Sequence, residues 1–219
     1  MNFTKESLAL QLNKVFERYK DLAVAKDSHN LVRLHGSIPV DILACGFHLC
    51  QSYLIDICIP LNSDKLPYVI DTGRSVAISY RHIYDDGVLC LDTDTRIRMR
   101  FLDGFDLLQW LQDFVEPYFF SYEYYVRYSS FPFGDREHGC QGILQTYQEL
   151  FDASSIDAAY KLMRYCCLHS YRGHHICPCG SGKRLRNCHG NALRNFVADS
   201  RKLEILKKDL LLVERELIG

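Results

Sequence analysis

The sequence has no run of about 18 uncharged apolar residues, which excludes an ordinary membrane-spanning helix. It has no excess of charge of either sign: 26 Lys and Arg oppose 27 Asp and Glu, for a net charge of −1. A dedicated nucleic-acid binder needs a large basic face, and a solvating acidic chain needs the opposite, so neither is expected. Six prolines and thirteen glycines without a repeat exclude collagen-like and low-complexity chains. The opening stretch MNFTKESLALQLNK is charged and amphipathic, without an apolar signal core. Export is therefore not expected, and the reducing cytoplasm is the expected compartment.

Cysteine, by contrast, is abundant, with ten in 219 residues. Secreted scaffolds so rich in Cys are usually far shorter, and a chain of this length can bury about 70% of its unfolded surface without staples. Burial, metal binding or catalysis must account for the thiols. The charge is also uneven. Residues 1–165 carry 16 basic and 22 acidic side chains, and residues 166–219 carry 10 and 5. An acidic body with a basic tail suits protein partners or a small contact with something anionic.

Leu8, Leu12, Val15, Phe16, Tyr19 and Leu22 recur at helical spacing, so residues 5–23 are expected to form an amphipathic helix. Three short apolar runs follow, LVRLHGSIPV, FHLCQSYLIDICIP and PYVID, separated by Gly and Pro turns. They read as three strands of a meander. Tyr53, Ile55, Ile57 and Ile59 share one face of the second run. Residues 72–104 look irregular, except that Arg96 to Phe101 alternates basic and apolar residues like a strand with one basic face. That face suits either an acidic partner or solvent. Helical spacing returns from Leu107 to Phe120, running into a stretch in which nine of the 16 residues from Tyr118 to Phe133 are Phe or Tyr. Such aromatics serve either a binding surface or the packing of a helix on the sheet. Residues 142–151 and 156–168 read as helices, the second capped by Ser154 or Ser155, with Cys166 and Cys167 on its buried side. Cys45, Cys50, Cys58 and Cys140 have no partner at metal spacing and are expected to fill core. Residues 194–218 read as one terminal helix, with Leu203, Leu206, Leu210, Val213 and Leu217 along a stripe.

The strongest local signal is the segment Cys177-Pro178-Cys179-Gly180-Ser181-Gly182-Lys183, continuing to Cys188-His189-Gly190. Cys-x-Cys and Cys-His pairs within so few residues supply four soft or borderline donors, and thiolate with imidazole in tetrahedral closure selects Zn²⁺. A hairpin this small has no core of its own, so metal would supply most of its folding free energy, on the order of 10 kcal/mol. These residues resemble the SEC-C motif, a zinc-binding tail first associated with the bacterial SecA translocase. The resemblance implies a closed, structural Zn²⁺ on Cys177, Cys179, Cys188 and His189, with His174 and His175 as bystanders. A phosphate-loop reading of Gly180 to Lys183 fails: Cys177 stands where that motif needs Gly, and Arg184 where it needs Ser or Thr.

A second constellation runs Tyr80-Arg81-His82-Ile83-Tyr84-Asp85-Asp86-Gly87-Val88-Leu89-Cys90-Leu91. It resembles the active-site segment of ubiquitin-conjugating enzymes, in which a His-Pro-Asn signature and an aliphatic residue precede a Gly turn and an aliphatic-Cys-Leu run. Gly87 and Ile83 fill the matching positions, and Tyr84 matches an aromatic found there in some members. Tyr80 and Arg81 replace the signature's His and Pro, and His82 stands at the Asn. The likeness covers roughly residues 5–150. Divergent bacterial members carry similar endings (compare Phe131-Pro132-Phe133-Gly134 and His138 to Ile143) and a SEC-C tail. Those members occur beside ubiquitin-like modifiers and activating enzymes in phage-defence operons.

The resemblance implies an α+β fold: a ubiquitin-conjugating-like antiparallel meander with flanking helices over 1–151. A helical extension over 152–172 and a zinc knuckle with a terminal helix over 173–219 would follow. It implies that Cys90 accepts a ubiquitin-like modifier from an adenylating activating enzyme as a thioester and passes it to an amine of a target protein. His82 would donate a ring N–H to the acyl oxygen, and Tyr84 would wall the approach of the amine. The lost signature leaves a second reading open, an inactive adaptor that holds a modifier or activating enzyme and recruits partners through its zinc tail. A SecA-like role rests on the tail alone.

Overall fold

The computed structural model describes residues 3–218. The chain is a mixed α and β structure that divides into two compact units, Met1–Asp92 with Asp103–Asp135, and Thr93–Leu102 with Arg136–Gly219. The division falls at 135/136, with a second exchange at 92/93 and 102/103.

In the first unit, α1 (Lys5–Arg18) opens with a capping box. The Ser7 N–H donates to Thr4 Oγ1 at 3.2 Å and the Thr4 N–H donates to Ser7 Oγ at 3.0 Å, which satisfies two otherwise orphaned donors. Four antiparallel strands follow in the order β1 (Ala23–Asp27), β2 (Leu31–Ala44), β3 (Phe47–Pro60) and β4 (Tyr68–Ile70). The three expected strands are present. The sequence missed β1, whose five residues are all exposed and carry no period-2 signal. Strands β2 and β3 pair along their full length through a two-residue turn, Cys45-Gly46, with positive φ at both positions. That turn geometry matches the strand twist and places Cys45 in solvent. Cys50, farther along β3, is also exposed, so neither thiol fills core as expected, whereas Cys58 does.

Tyr53, Ile55, Ile57 and Ile59 are fully buried, as their alternation predicts. The rod that covers them comprises α3 (Leu107–Trp110), a π turn (Leu111–Val115) and α4 (Glu116–Tyr128). Pro117 has no N–H to offer residue 113, and the ladder widens just before it. Phe119 stacks on Tyr53 with ring centroids 4.0 Å apart, and Phe120 lies 5.5 Å from Phe47. The Tyr19 hydroxyl donates to Glu116 at 2.6 Å. These members of the aromatic stretch are sheet packing.

The second unit contains α2 (Asp94–Arg100), α5 (Gly139–Phe151), α6 (Ile156–Leu168), α7 (Gly190–Val197) and α8 (Ser200–Ile218). The expected strand at 96–101 is helix α2, capped by Thr93, whose Oγ1 accepts the Arg96 N–H at 3.3 Å. Ile97 and Phe101 are buried one turn apart, a spacing that alternation and helix share. Helix α6 has the expected bounds, with Ser155 as its cap. Cys166 and Cys140 are buried and Cys167 half-buried. The expected single terminal helix is two, α7 and α8, broken at Ala198-Asp199. Leu206, Leu210 and Val213 are buried as expected, and the Leu217 side chain lies outside the described residues. Asp209 of α8, itself buried, accepts hydroxyls from Thr95 at 2.7 Å and Tyr147 at 2.8 Å, tying α2 and α5 to α8. No helix among the described residues is long and apolar enough to cross a membrane.

Candidate functional site

Two clusters carry chemistry, one in each unit. In the second unit, Ile176 and Arg184 form an antiparallel bridge, and the Cys177 N–H donates to the Lys183 carbonyl at 2.8 Å. Between them the backbone turns through Gly180 and Gly182, both at positive φ, where a β-carbon would be strained. A single 3-10 turn, Leu185–Asn187, then returns the chain so that Cys188 and His189 face the Cys-x-Cys pair. Leu185 is fully buried. Gly190 is required because a β-carbon there would lie 2.6 Å from the Leu185 carbonyl oxygen.

One donor atom from each of Cys177, Cys179, Cys188 and His189 lies within 4.8 Å of the others. His189 Nδ1 is 3.3 Å from Cys177 Sγ and 3.2 Å from Cys188 Sγ, and the Cys179 and Cys188 sulfurs are 3.6 Å apart. A tetrahedral ion bonded at about 2.0 Å to nitrogen and about 2.3 Å to sulfur holds its donors about 3.5–3.8 Å apart, so the residues fit such an ion. Outside the cluster, His189 Nε2 is 3.3 Å from the Asp152 carbonyl oxygen. A proton on Nε2 directed at that oxygen leaves Nδ1 as the ligand. Ser181 Oγ lies 3.2 Å from Cys179 Sγ and 3.4 Å from Cys188 Sγ. Burial pushes the Cys177 thiol up to about 12. Cys179 is drawn down to about 6 by the Ser181 hydroxyl and N–H, although burial opposes the shift. His174 and His175 pack edge-to-face on each other and stay outside the cluster, as expected.

The knuckle is not coreless, contrary to the sequence expectation. Cys177, Leu185 and Leu193 belong to one hydrophobic cluster with Tyr147 and Phe151 of α5, Leu162 and Met163 of α6, and Leu206 of α8. Apolar burial therefore does part of the work of holding it.

In the first unit, the chain after β4 folds into a narrow ribbon. Ile70 bridges Val88 and Ile83 bridges Leu89. The Tyr84 N–H donates to the Val88 carbonyl at 2.9 Å, and the Cys90 N–H donates to the His82 carbonyl at 2.9 Å. Gly87 makes the turn at φ +81°. This register puts residue 82 directly opposite residue 90, and alternation puts 82, 84, 88 and 90 on one face of the ribbon. A His82 ring nitrogen lies within 4.8 Å of Cys90 Sγ. Cys90 is half-buried, with Leu89 beneath it buried. Tyr84 is 54% exposed.

The His82 ring is held on several sides. Tyr80 and Phe131 meet it edge-on at centroid distances of 5.3 and 5.6 Å. The Tyr118 hydroxyl donates to its carbonyl at 2.8 Å. Its Nε2 lies 3.1 Å from Asp135 Oδ1, and Asp135 also pairs with Arg81. Tyr80 is buried against Tyr118, Tyr122 and Tyr125. The sequence brought His82 and Cys90 forward together but missed Asp135. The aspartate is 53 residues from His82, so no spacing rule reaches it.

Residues 176–191 match the SEC-C motif. The match lies on the tail hairpin and contains all four donors of the cluster. The curated proteins gave no significant match to the chain, and neither did the solved structures.

Proposed function

We propose that the protein is a ubiquitin-conjugating-like enzyme that carries a ubiquitin-like modifier on Cys90. The observation that supports this best is the ribbon register, which sets a partly exposed thiol across from an imidazole at the end of a four-stranded meander. The order of helix, meander, ribbon and helical rod is the order the resemblance implies. The thiolate of Cys90 attacks the acyl carbon of a thioester on an adenylating activating enzyme, and the departing sulfur takes up the proton. A neutral amine of a target protein then attacks the acyl carbon of the new thioester; the bond to the Cys90 sulfur breaks, and the proton that the amine sheds passes to that sulfur. As it relays that proton, His82 holds it as a ring N–H directed at the acyl oxygen, where negative charge develops, a donor of the kind worth about 10²–10³ in rate. Tyr84, on the same face, lines the path of the amine. The cluster in the tail is read as a structural Zn²⁺ site: three thiolates and one imidazole fill four positions and leave none for substrate. A cytoplasmic setting suits thiols that must stay reduced, and the resemblance to members from phage-defence operons makes that the expected process.

The test uses the full chain with a ubiquitin-like protein and an adenylating enzyme, taken from adjacent genes where these encode them, with ATP. A non-reducing gel should show an adduct that thiol reagents cleave and that Cys90→Ala abolishes. An adduct that survives Cys90→Ala removes the proposal. A second reading, an inactive adaptor that binds the modifier or activating enzyme non-covalently, draws on the half-burial of Cys90. It predicts binding without any reducible adduct.

A further inference from the structure

We infer that Asp135 is the positioning residue of a thiol–imidazole–carboxylate relay formed by Cys90, His82 and Asp135. This rests on the reading of Cys90 as the working thiol and goes beyond it, because it assigns how that thiol becomes nucleophilic. The geometry is contained within the first unit. Asp135 Oδ1 lies 3.1 Å from His82 Nε2, and a ring nitrogen of the same imidazole lies within 4.8 Å of Cys90 Sγ. Only 13% of the His82 side chain is exposed, and Tyr80 and Phe131 fix its plane edge-on. A ring confined in this way has few orientations. The carboxylate selects the one in which Nε2 carries a proton and points at oxygen.

The consequence follows from proton bookkeeping. In the thiol exchange, Cys90 loses its proton as its sulfur bonds to the acyl carbon. The bond from that carbon to the activating enzyme's sulfur breaks, and the departing thiolate needs a proton. His82 accepts the first proton and returns it to the leaving sulfur, so nothing is consumed. While it holds the extra proton the ring is a cation, and a carboxylate at Nε2 stabilises that form without itself becoming protonated. Arg81, which also pairs with Asp135, helps hold the carboxylate in place.

The relay can be read without modifier or activating enzyme, by the rate at which iodoacetamide alkylates Cys90 in the full chain at neutral pH. Cys45 and Cys50, both exposed on the same unit, serve as internal references in the same mass-spectrometric digest. Asp135→Asn should slow Cys90 by roughly tenfold or more relative to Cys50, the scale of a lost acid–base partner. His82→Gln should slow it as much, and the double variant no further, because the two residues act as a unit. Asp135→Glu should recover part of the rate. A merely structural Asp135 would lower the unfolding temperature and leave the Cys90-to-Cys50 ratio unchanged, which overturns the relay. Additive single effects also overturn it. If Asp135→Asn does not fold, Asp135→Glu decides: an intermediate ratio upholds the relay and an unchanged one removes it. Fast, Asp135-dependent alkylation without any thioester would keep the relay and remove the modifier reading. A thioester formed equally well by Asp135→Asn, with unchanged alkylation, would do the reverse.

Discussion

The Asp152 carbonyl lies 3.3 Å from His189 Nε2 and so orients a ring whose other nitrogen faces the sulfurs of Cys177 and Cys188. Asp152 is the left-handed C-cap of α5, so a helix end supplies the outer support of the cluster. The purified protein should contain about one Zn²⁺ per chain. Cys177→Ser with Cys179→Ser should abolish it, as elemental analysis would record. Because the ligands must shed protons to bind, affinity should fall as pH is lowered. A chelator should expose the turn between Cys177 and Lys183 to protease while α6 stays protected, because Leu162 and Met163 of α6 pack with Tyr147 and Phe151 of α5 without help from the ligands. Complete unfolding of the unit by chelator would instead mean that metal supplies most of its stability.

Much of this was legible in the chain because local chemistry decided it. Ligand spacing exposed the Cys/His cluster, and the alternation of Tyr53, Ile55, Ile57 and Ile59 exposed β3. Other elements obeyed signals that compete. Arg96 to Phe101 alternates like a strand, yet Thr93 caps a helix there, and Ile97 with Phe101 is equally a helical pair. Strand β1 is exposed throughout and is held by backbone pairing to β2, which leaves no mark in side-chain hydrophobicity. Asp135 meets His82 only through the tertiary fold.

His82 and Tyr84 should separate in their effects on amine discharge. His82→Ala removes the imidazole opposite Cys90 and should slow transfer from a preformed Cys90 thioester to free lysine by about 10²–10³-fold. Tyr84 is more than half exposed, so Tyr84→Ala should change stability by no more than about 0.5 kcal/mol. Any slowing of discharge in that variant then reports its role toward the amine. Single-turnover discharge followed on non-reducing gels measures both.

The stacked pair Tyr53 and Phe119 joins β3 to α4, and both rings are fully buried. Phe119→Ala should cost about 3–5 kcal/mol, the usual range for deleting a core aromatic. Tyr53→Phe keeps the ring but loses the hydroxyl's 3.1 Å bond to Glu123, so it should cost only about 1 kcal/mol. Urea unfolding of the two variants would order them, and equal costs would show that the stack contributes little beyond its polar end.

Asp209 gives the second unit a pH dependence with a definite sign. Burial raises its carboxyl above the ordinary value, although the hydroxyls of Thr95 and Tyr147 pull the other way. A carboxyl raised by folding holds its proton more tightly in the folded state than in the unfolded one. Its contribution to stability is therefore full below the unfolded value of about 3.9 and is lost as pH rises through the higher folded value. Asp209→Asn cannot ionise. Its stability relative to the parent protein should therefore climb as pH rises from about 3 through that window and level off above it. Asp209→Ala instead leaves two buried hydroxyls without their acceptor and should be less stable by about 1–3 kcal/mol for each group stranded. Urea midpoints of the three proteins across the acid range measure this. A constant difference between Asp209→Asn and the parent would mean that Asp209 titrates alike folded and unfolded, and that its burial does not govern its charge.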